Sequence, residues 1–176
     1  MKIRNLVFIV ALGLVAAAQA DETPTAQQMI EQLKPVPHTR SLGRNLKVEG
    51  LPPAVAGQPL EDVKPALTLA MIQFDFNSAR VKAESLPVLS NLAEALQSKE
   101  LQNSVFAVEG HTDAKGSAAY NLKLSQARAD AVRKFLASKG VTEQRLVAMG
   151  KGSIELANPQ DPQGAENRRV RIVNLD

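Results

Sequence analysis

The sequence predicts a two-layer α/β sandwich filling its last 110 residues, and three observations carry that prediction. From Leu67 onward strand-like runs alternate with helix-like ones. A long amphipathic stretch from Ser117 to Ser138 ends at Lys139-Gly140, a cation followed by a glycine stop. Before Pro65 the text is different in kind, because residues 21–66 hold seven of the ten prolines. Alternating strands and helices in so short a span make one compact domain.

Taken in order, residues 1–20 read as a leader. Lys2 and Arg4 precede a run of thirteen apolar residues from Leu6 to Ala18, and Ala18-Gln19-Ala20 places small residues where a signal peptidase reads. Thirteen residues at ~1.5 Å each span about 20 Å, short of the roughly 30 Å of a bilayer's hydrocarbon. The expectation is cleavage after Ala20 and a mature chain without a transmembrane segment. Thr23 and Pro24 then suggest the start of a short helix, with Met29, Ile30 and Leu33 as its apolar stripe and Pro35 and Pro37 as its end. Residues 38–65 lack helical periodicity and read as a linker or strap.

The main domain is expected from residue 67 to 176. Leu67 to Phe76 alternates imperfectly as a strand. Val81 to Lys99 reads as a helix with Leu86, Leu89, Leu92, Ala93 and Leu96 on one face. Ser104 to Gly110 is a second strand, and the long helix follows with the stripe Leu124, Ala127, Ala131 and Phe135. Arg145 to Gly150 and Arg169 to Leu175 are the last strands, separated by a loop over 158–164. No internal repeat is visible.

Composition removes several classes of function. There is no cysteine, so disulfides, thiol nucleophiles, iron–sulfur clusters and cysteine-ligated zinc are excluded. The formal charge of +3 shrinks once Lys2 and Arg4 leave with the leader, to nineteen basic against eighteen acidic residues. Arg168-Arg169 alone does not make a nucleic-acid surface, since the chain has one tyrosine, no tryptophan and no basic stripe interleaved with aromatics. No metal site is expected: His111 and His38 are the only histidines, and no His-Glu-x-x-His or similar set is present. His111 is expected to make a structural hydrogen bond, and Arg169 to be a surface or structural charge.

The informative stretch runs from Val108 to Val141. A strand ends at Gly110, a turn carries His111, Thr112, Asp113 and Gly116, and Ser117 is a good helix cap. Asn121 and Arg128 stand seven residues apart, almost two turns, so they share a face with Leu124 and Val132 at about 10 Å separation. A guanidinium among inward-facing positions needs a partner or a ligand, because a buried unpaired charge is costly. On the residues alone, an aspartate such as Asp113 near a helix start is more often a cap or turn residue than a ligand, and an arginine such as Arg128 is usually half of a structural ion pair. Spacing does not show that they converge.

The run Gly110-His111-Thr112-Asp113, Gly116, Tyr120-Asn121, Leu124-Ser125, Arg128-Ala129 resembles the signature of the OmpA C-terminal (OmpA/MotB/Pal) peptidoglycan-binding family. Phe74-Asp75-Phe76-Asn77-Ser78 and Asn167-Arg168-Arg169-Val170 match two further landmarks in the same order. The resemblance implies an α+β domain, a mixed four-stranded sheet packed by two main helices. It also implies noncatalytic binding of peptidoglycan in the periplasm through the diaminopimelate of the stem peptide, tethering or stabilising the envelope. No cofactor is implied. The ligand residues would be Asp113 and Arg128, supported by Thr112, Asn121 and Arg168, with Phe76 and Asn77 lining the pocket. That pairing is chemically apt, since an aspartate answers the ammonium of a zwitterion and a planar guanidinium its carboxylate. Two alternatives stand beside it: a periplasmic scaffold holding a protein partner through residues 21–66, and a peptidoglycan hydrolase using His111 and a carboxylate.

Overall fold

The structure is a computed structural model that describes residues 23–35, 64–75 and 77–176. The leader, most of the expected strap and Phe76 lie outside the described residues. Among those described, no helix is long and apolar enough to cross a membrane.

The first helix, α1 (Ala26–Leu33), begins at a capping box in which Thr25 and Gln28 satisfy each other's exposed backbone N–H groups. Met29, Ile30 and Leu33 face inward as their spacing predicts and join the main hydrophobic core. Helix α1 is therefore part of the packed domain, beside α2 (Leu86–Leu96) and β1 (Ala66–Leu69). Buried Asn174 secures this arrangement. Its side-chain amide donates to the Leu33 carbonyl at 2.8 Å, and its backbone N–H donates to Pro65 O at 2.8 Å.

The sheet has four strands in the order β1-β4-β2-β3, with β2 (Phe106–His111), β3 (Leu146–Gly152) and β4 (Val170–Asn174) completing it. Strand β4 is antiparallel to β1 and β2, while β2 and β3 are parallel and joined through α3 (Ala118–Ser138). The sheet is mixed and one side is packed by helices, as the sequence predicts.

Three elements differ from expectation, each for a physical reason. The strand expected over 67–76 stops at Leu69, because the Gln73 N–H is taken by the Ser85 hydroxyl at 2.7 Å and the chain turns into a small hairpin. That hairpin is closed by Lys82 N–H to Gln73 O and Asp75 N–H to Arg80 O, both 3.0 Å. The second helix starts at Leu86 and not at Val81, after a short 3-10 turn over Ala83–Ser85. Pro87 lacks an N–H and is tolerated in the first turn but not in a helix interior.

The third difference matters most. Helix α3 does not bury Ala127; its inward residues are Asn121, Ser125, Ala129, Val132 and Leu136. The helix lies almost on the sheet backbone. A Cβ placed on Gly110 would stand 2.2 Å from the Ser125 carbonyl oxygen, and one on Gly150 would stand 2.6 Å from Gln126 N. Such an approach admits only small residues, so Ser125 and Ala129 hold positions that a search for large apolar side chains passes over. The contact is also bonded: Ser125 Oγ accepts from Gly152 N–H at 2.9 Å and Gln126 Oε1 from Gly150 N–H at 2.8 Å.

Gly110→Ala should therefore push α3 off the sheet and cost about 3 kcal/mol, the upper range for overpacking a filled core. Urea denaturation of the wild type and the variant measures it, and an unchanged midpoint would show that the helix is not seated as described.

Candidate functional site

The parallel strand β2 ends in a bulge at Gly110 and His111, and the chain turns through Thr112 to Gly116 before α3. Gly116 has φ +94°, a conformation that side chains rarely adopt, and Ser117 caps the helix by accepting from Tyr120 N–H. Asn121 holds the turn from beneath. Its amide donates to Asp113 O at 3.2 Å and to Lys115 O at 3.1 Å, and the residue is buried. The Asp113 side chain also closes the loop, its Oδ1 accepting from Lys115 N–H at 3.1 Å.

Above this turn lies a cleft of about 340 Å³. Phe74, Arg128, Arg168 and Arg169 line it, His111 contributes to its wall, and Ile72 adds apolar surface. Arg128 comes from α3 and is half-buried. Its Nε donates to the Ser78 carbonyl at 3.2 Å, and its guanidinium lies 4.9 Å from the centre of the Phe74 ring. Burial pushes the Arg128 pKa below its ordinary value, with Tyr120 and Asp113 opposing that shift and Arg168 adding to it. The group stays charged all the same.

Asp113 and Arg128 do not pair. Asp113 Oδ2 accepts instead from Arg168 Nη1 at 2.8 Å, an ion pair in which the carboxylate is mostly covered and the arginine is half-exposed. Among the described residues Arg128 has no carboxylate within 4 Å. The residues singled out in the sequence thus divide. Arg128 and Arg168 line the cleft, Asp113 is paired with Arg168, and Asn121 is a buried brace of the turn. Thr112 is buried and its hydroxyl has no hydrogen-bond partner among the described residues. Asn77, at φ 52°, sits exposed at the tip of the hairpin whose Ser78 receives Arg128. Phe76 is outside the described residues.

Two residues were read differently from sequence. Phe74, not singled out as a lining residue, provides the aromatic face. Arg169, expected as a surface or structural charge, lines the same cleft as Arg168. Alternation fails there because Arg168 leaves a 3-10 turn over Ala165–Asn167 and is not yet in the strand.

His111 also corrects an expectation. It is 1% exposed, yet neither ring nitrogen meets a partner at hydrogen-bond geometry among the described residues. The carboxylate of Glu109 stands 3.9 Å from its Nε2. Potential ligand atoms of Glu109, His111 and Glu155 lie within 4.8 Å of one another. That cluster already holds cations of this chain. The Lys151 ammonium lies 3.4 Å from Glu109 and 3.1 Å from Glu155, and Arg171 lies 3.4 Å from Glu109. Burial first, and then the charge of Arg169, lower the His111 pKa to about 4, so the ring is neutral near pH 7.

Comparison with known proteins places this geometry in context. The OmpA family profile matches residues 73–171. Outer membrane protein A of Bordetella avium is 38% identical over 132 residues, covering 70% of this chain and 65% of that protein. Peptidoglycan-associated lipoprotein of Buchnera aphidicola is 38% identical over 118 residues, covering 66% of this chain and 65% of that protein. The chain therefore spans just under two-thirds of the length of either relative. The crystal structure of the peptidoglycan-associated lipoprotein from Burkholderia pseudomallei superposes with a TM-score of 0.51 at 31% identity, covering 58% of this chain and 87% of that one.

The buried neutral histidine makes stability depend on pH. An unfolded chain takes up the His111 proton near 6.5, whereas the fold resists it until about 4. The stabilisation is complete above pH 6.5 and is lost as pH falls from there to about 4, by up to about 3 kcal/mol. Chemical denaturation between pH 7.5 and 4.5 in wild type and His111→Gln should show a shallower acid slope in the variant. Identical slopes would contradict a neutral buried ring.

Proposed function

We propose that this chain, which belongs to the OmpA family, binds peptidoglycan noncovalently through the zwitterionic end of diaminopimelate, tethering the cell envelope from the periplasm. One observation carries the reading: Arg128 is a half-buried guanidinium facing a cleft with no carboxylate partner of its own. Leaving such a group without an anion costs free energy that a ligand carboxylate would recover. A ligand carboxylate in a bidentate pair with the guanidinium supplies that anion.

The other half of the zwitterion would meet Asp113. Its carboxylate is already oriented by Lys115 N–H and Arg168, so an ammonium would share an acceptor whose position is fixed before binding. Phe74 supports the apolar carbons between the two charges. Each charge-assisted bond contributes about 1.5–3 kcal/mol, and ordering the ligand offsets part of it. The resulting affinity is on the order of micromolar to sub-millimolar, sufficient when many copies face a polymer.

The reading is noncatalytic. The carboxylates beside His111 are held by Lys151 and Arg171, and His111 itself is almost wholly covered. Neither is placed to activate water over the cleft.

Arg128→Gln should reduce pelleting with purified sacculi by about a hundredfold in affinity, since it removes the anion's partner from a desolvated site. The melting temperature should change little, because the residue makes one hydrogen bond and one ring contact to the fold. Normal binding by a well-folded variant would refute the site. A stem peptide carrying lysine in place of diaminopimelate lacks the terminal carboxylate and should bind the wild type at least about a hundredfold more weakly. Calorimetric titration of the two peptides checks this, and equal affinities would show that Arg128 does not read that group.

A further inference from the structure

The cleft carries more positive charge than one zwitterion needs. Three guanidinium groups, those of Arg128, Arg168 and Arg169, line it together. Asp113 neutralises only Arg168. Arg169 donates to main-chain carbonyls alone, Nη2 to Glu155 O at 3.0 Å and Nη1 to Asn167 O at 3.5 Å. No carboxylate among the described residues lies within 4 Å of it. These carbonyl bonds fix its position and leave further N–H donors unspent, since a guanidinium has five. The cleft therefore holds two anion-seeking groups, Arg128 from α3 and Arg169 from just before β4, with the apolar Ile72 and Phe74 also in its lining.

We propose that the cleft binds a ligand with two free carboxylates, Arg128 holding one and Arg169 the other. On the peptidoglycan reading, on which this rests, the ligand is a stem peptide that terminates at diaminopimelate. Such a residue carries a zwitterion at one end and its own α-carboxylate, unblocked, at the other. When the peptide continues into D-alanine, that second carboxylate becomes an amide and loses its charge. Arg169 would then face a neutral carbonyl, and the binding would rest on Arg128 and Asp113 alone. The protein would thereby favour trimmed stems over those still carrying D-alanine.

Calorimetric titration of purified protein with two peptides tests the proposal: one ends at diaminopimelate with a free carboxylate, the other is identical but amidated there. The wild type should bind the free acid about tenfold or more tightly, the worth of one partly exposed charge-assisted pair. Arg169→Gln should erase that preference by weakening the free acid about tenfold more than the amidated peptide, and Arg169→Lys should retain part of it. Arg128→Gln should weaken both peptides together. Equal wild-type affinities for the two peptides would overturn the second site while leaving the first intact, and this comparison needs no variant to fold. Failure of the wild type to bind either peptide would overturn both readings.

Discussion

The close seating of α3 on strands β2 and β3 is the constraint from which the cleft follows. Gly110 and Gly150 let the helix backbone approach until Ser125 and Gln126 hydrogen-bond directly to strand N–H groups. With the helix held at that height, Arg128, almost one turn beyond Ser125, is directed over the hairpin that follows β1 and meets Phe74 and Ser78. A helix standing farther out, on ordinary leucine-sized contacts, would lift the guanidinium away from both. Packing in this fold is therefore inseparable from the geometry of the cleft.

Electrostatics completes the arrangement by dividing labour between charges. One arginine, Arg168, is paired with Asp113 and orients it. Arg128 is held by a carbonyl and an aromatic ring, partners that fix position without cancelling charge. A ring contact of this kind is worth about 0.5–2 kcal/mol, which offsets part of the desolvation cost. On the far side of the bulge the same chemistry is resolved differently, because Glu109 and Glu155 are satisfied by Lys151 and Arg171. Those carboxylates are satisfied away from the cleft, while Arg128 and Arg169 line it without a carboxylate within 4 Å among the described residues.

Much of the fold was legible because each signal had a local cause. The capping box at Thr25, the glycine stop after Lys139 and the apolar runs of the strands depend on neighbours in sequence. The α3 face was misassigned because close packing chose small residues where apolar size was the guide. The early end of β1 escaped notice because it is set by Ser85, twelve residues beyond Gln73. For the site, the motif pointed to Arg128 and Arg168, and both line the cleft. It could not reveal that Asp113 pairs with Arg168, a partner fifty-five positions away. Nor could it show that Arg169 turns into the cleft, since that depends on a 3-10 turn interrupting the alternation.

The central claim is that Arg128 is a preformed anion site awaiting a ligand carboxylate. The most direct measurement is an NMR titration that follows the Arg128 Nε–Hε resonance of labelled protein with free diaminopimelate. The account predicts a saturable shift of that resonance, with Asp113 and Phe74 responding over the same concentration range and Nα-acetyl-lysine amide, which has an ammonium and no carboxylate, producing no such shift in Arg128. A resonance that stays in place while diaminopimelate reaches tens of millimolar, well above the roughly sub-millimolar affinity expected, would contradict it.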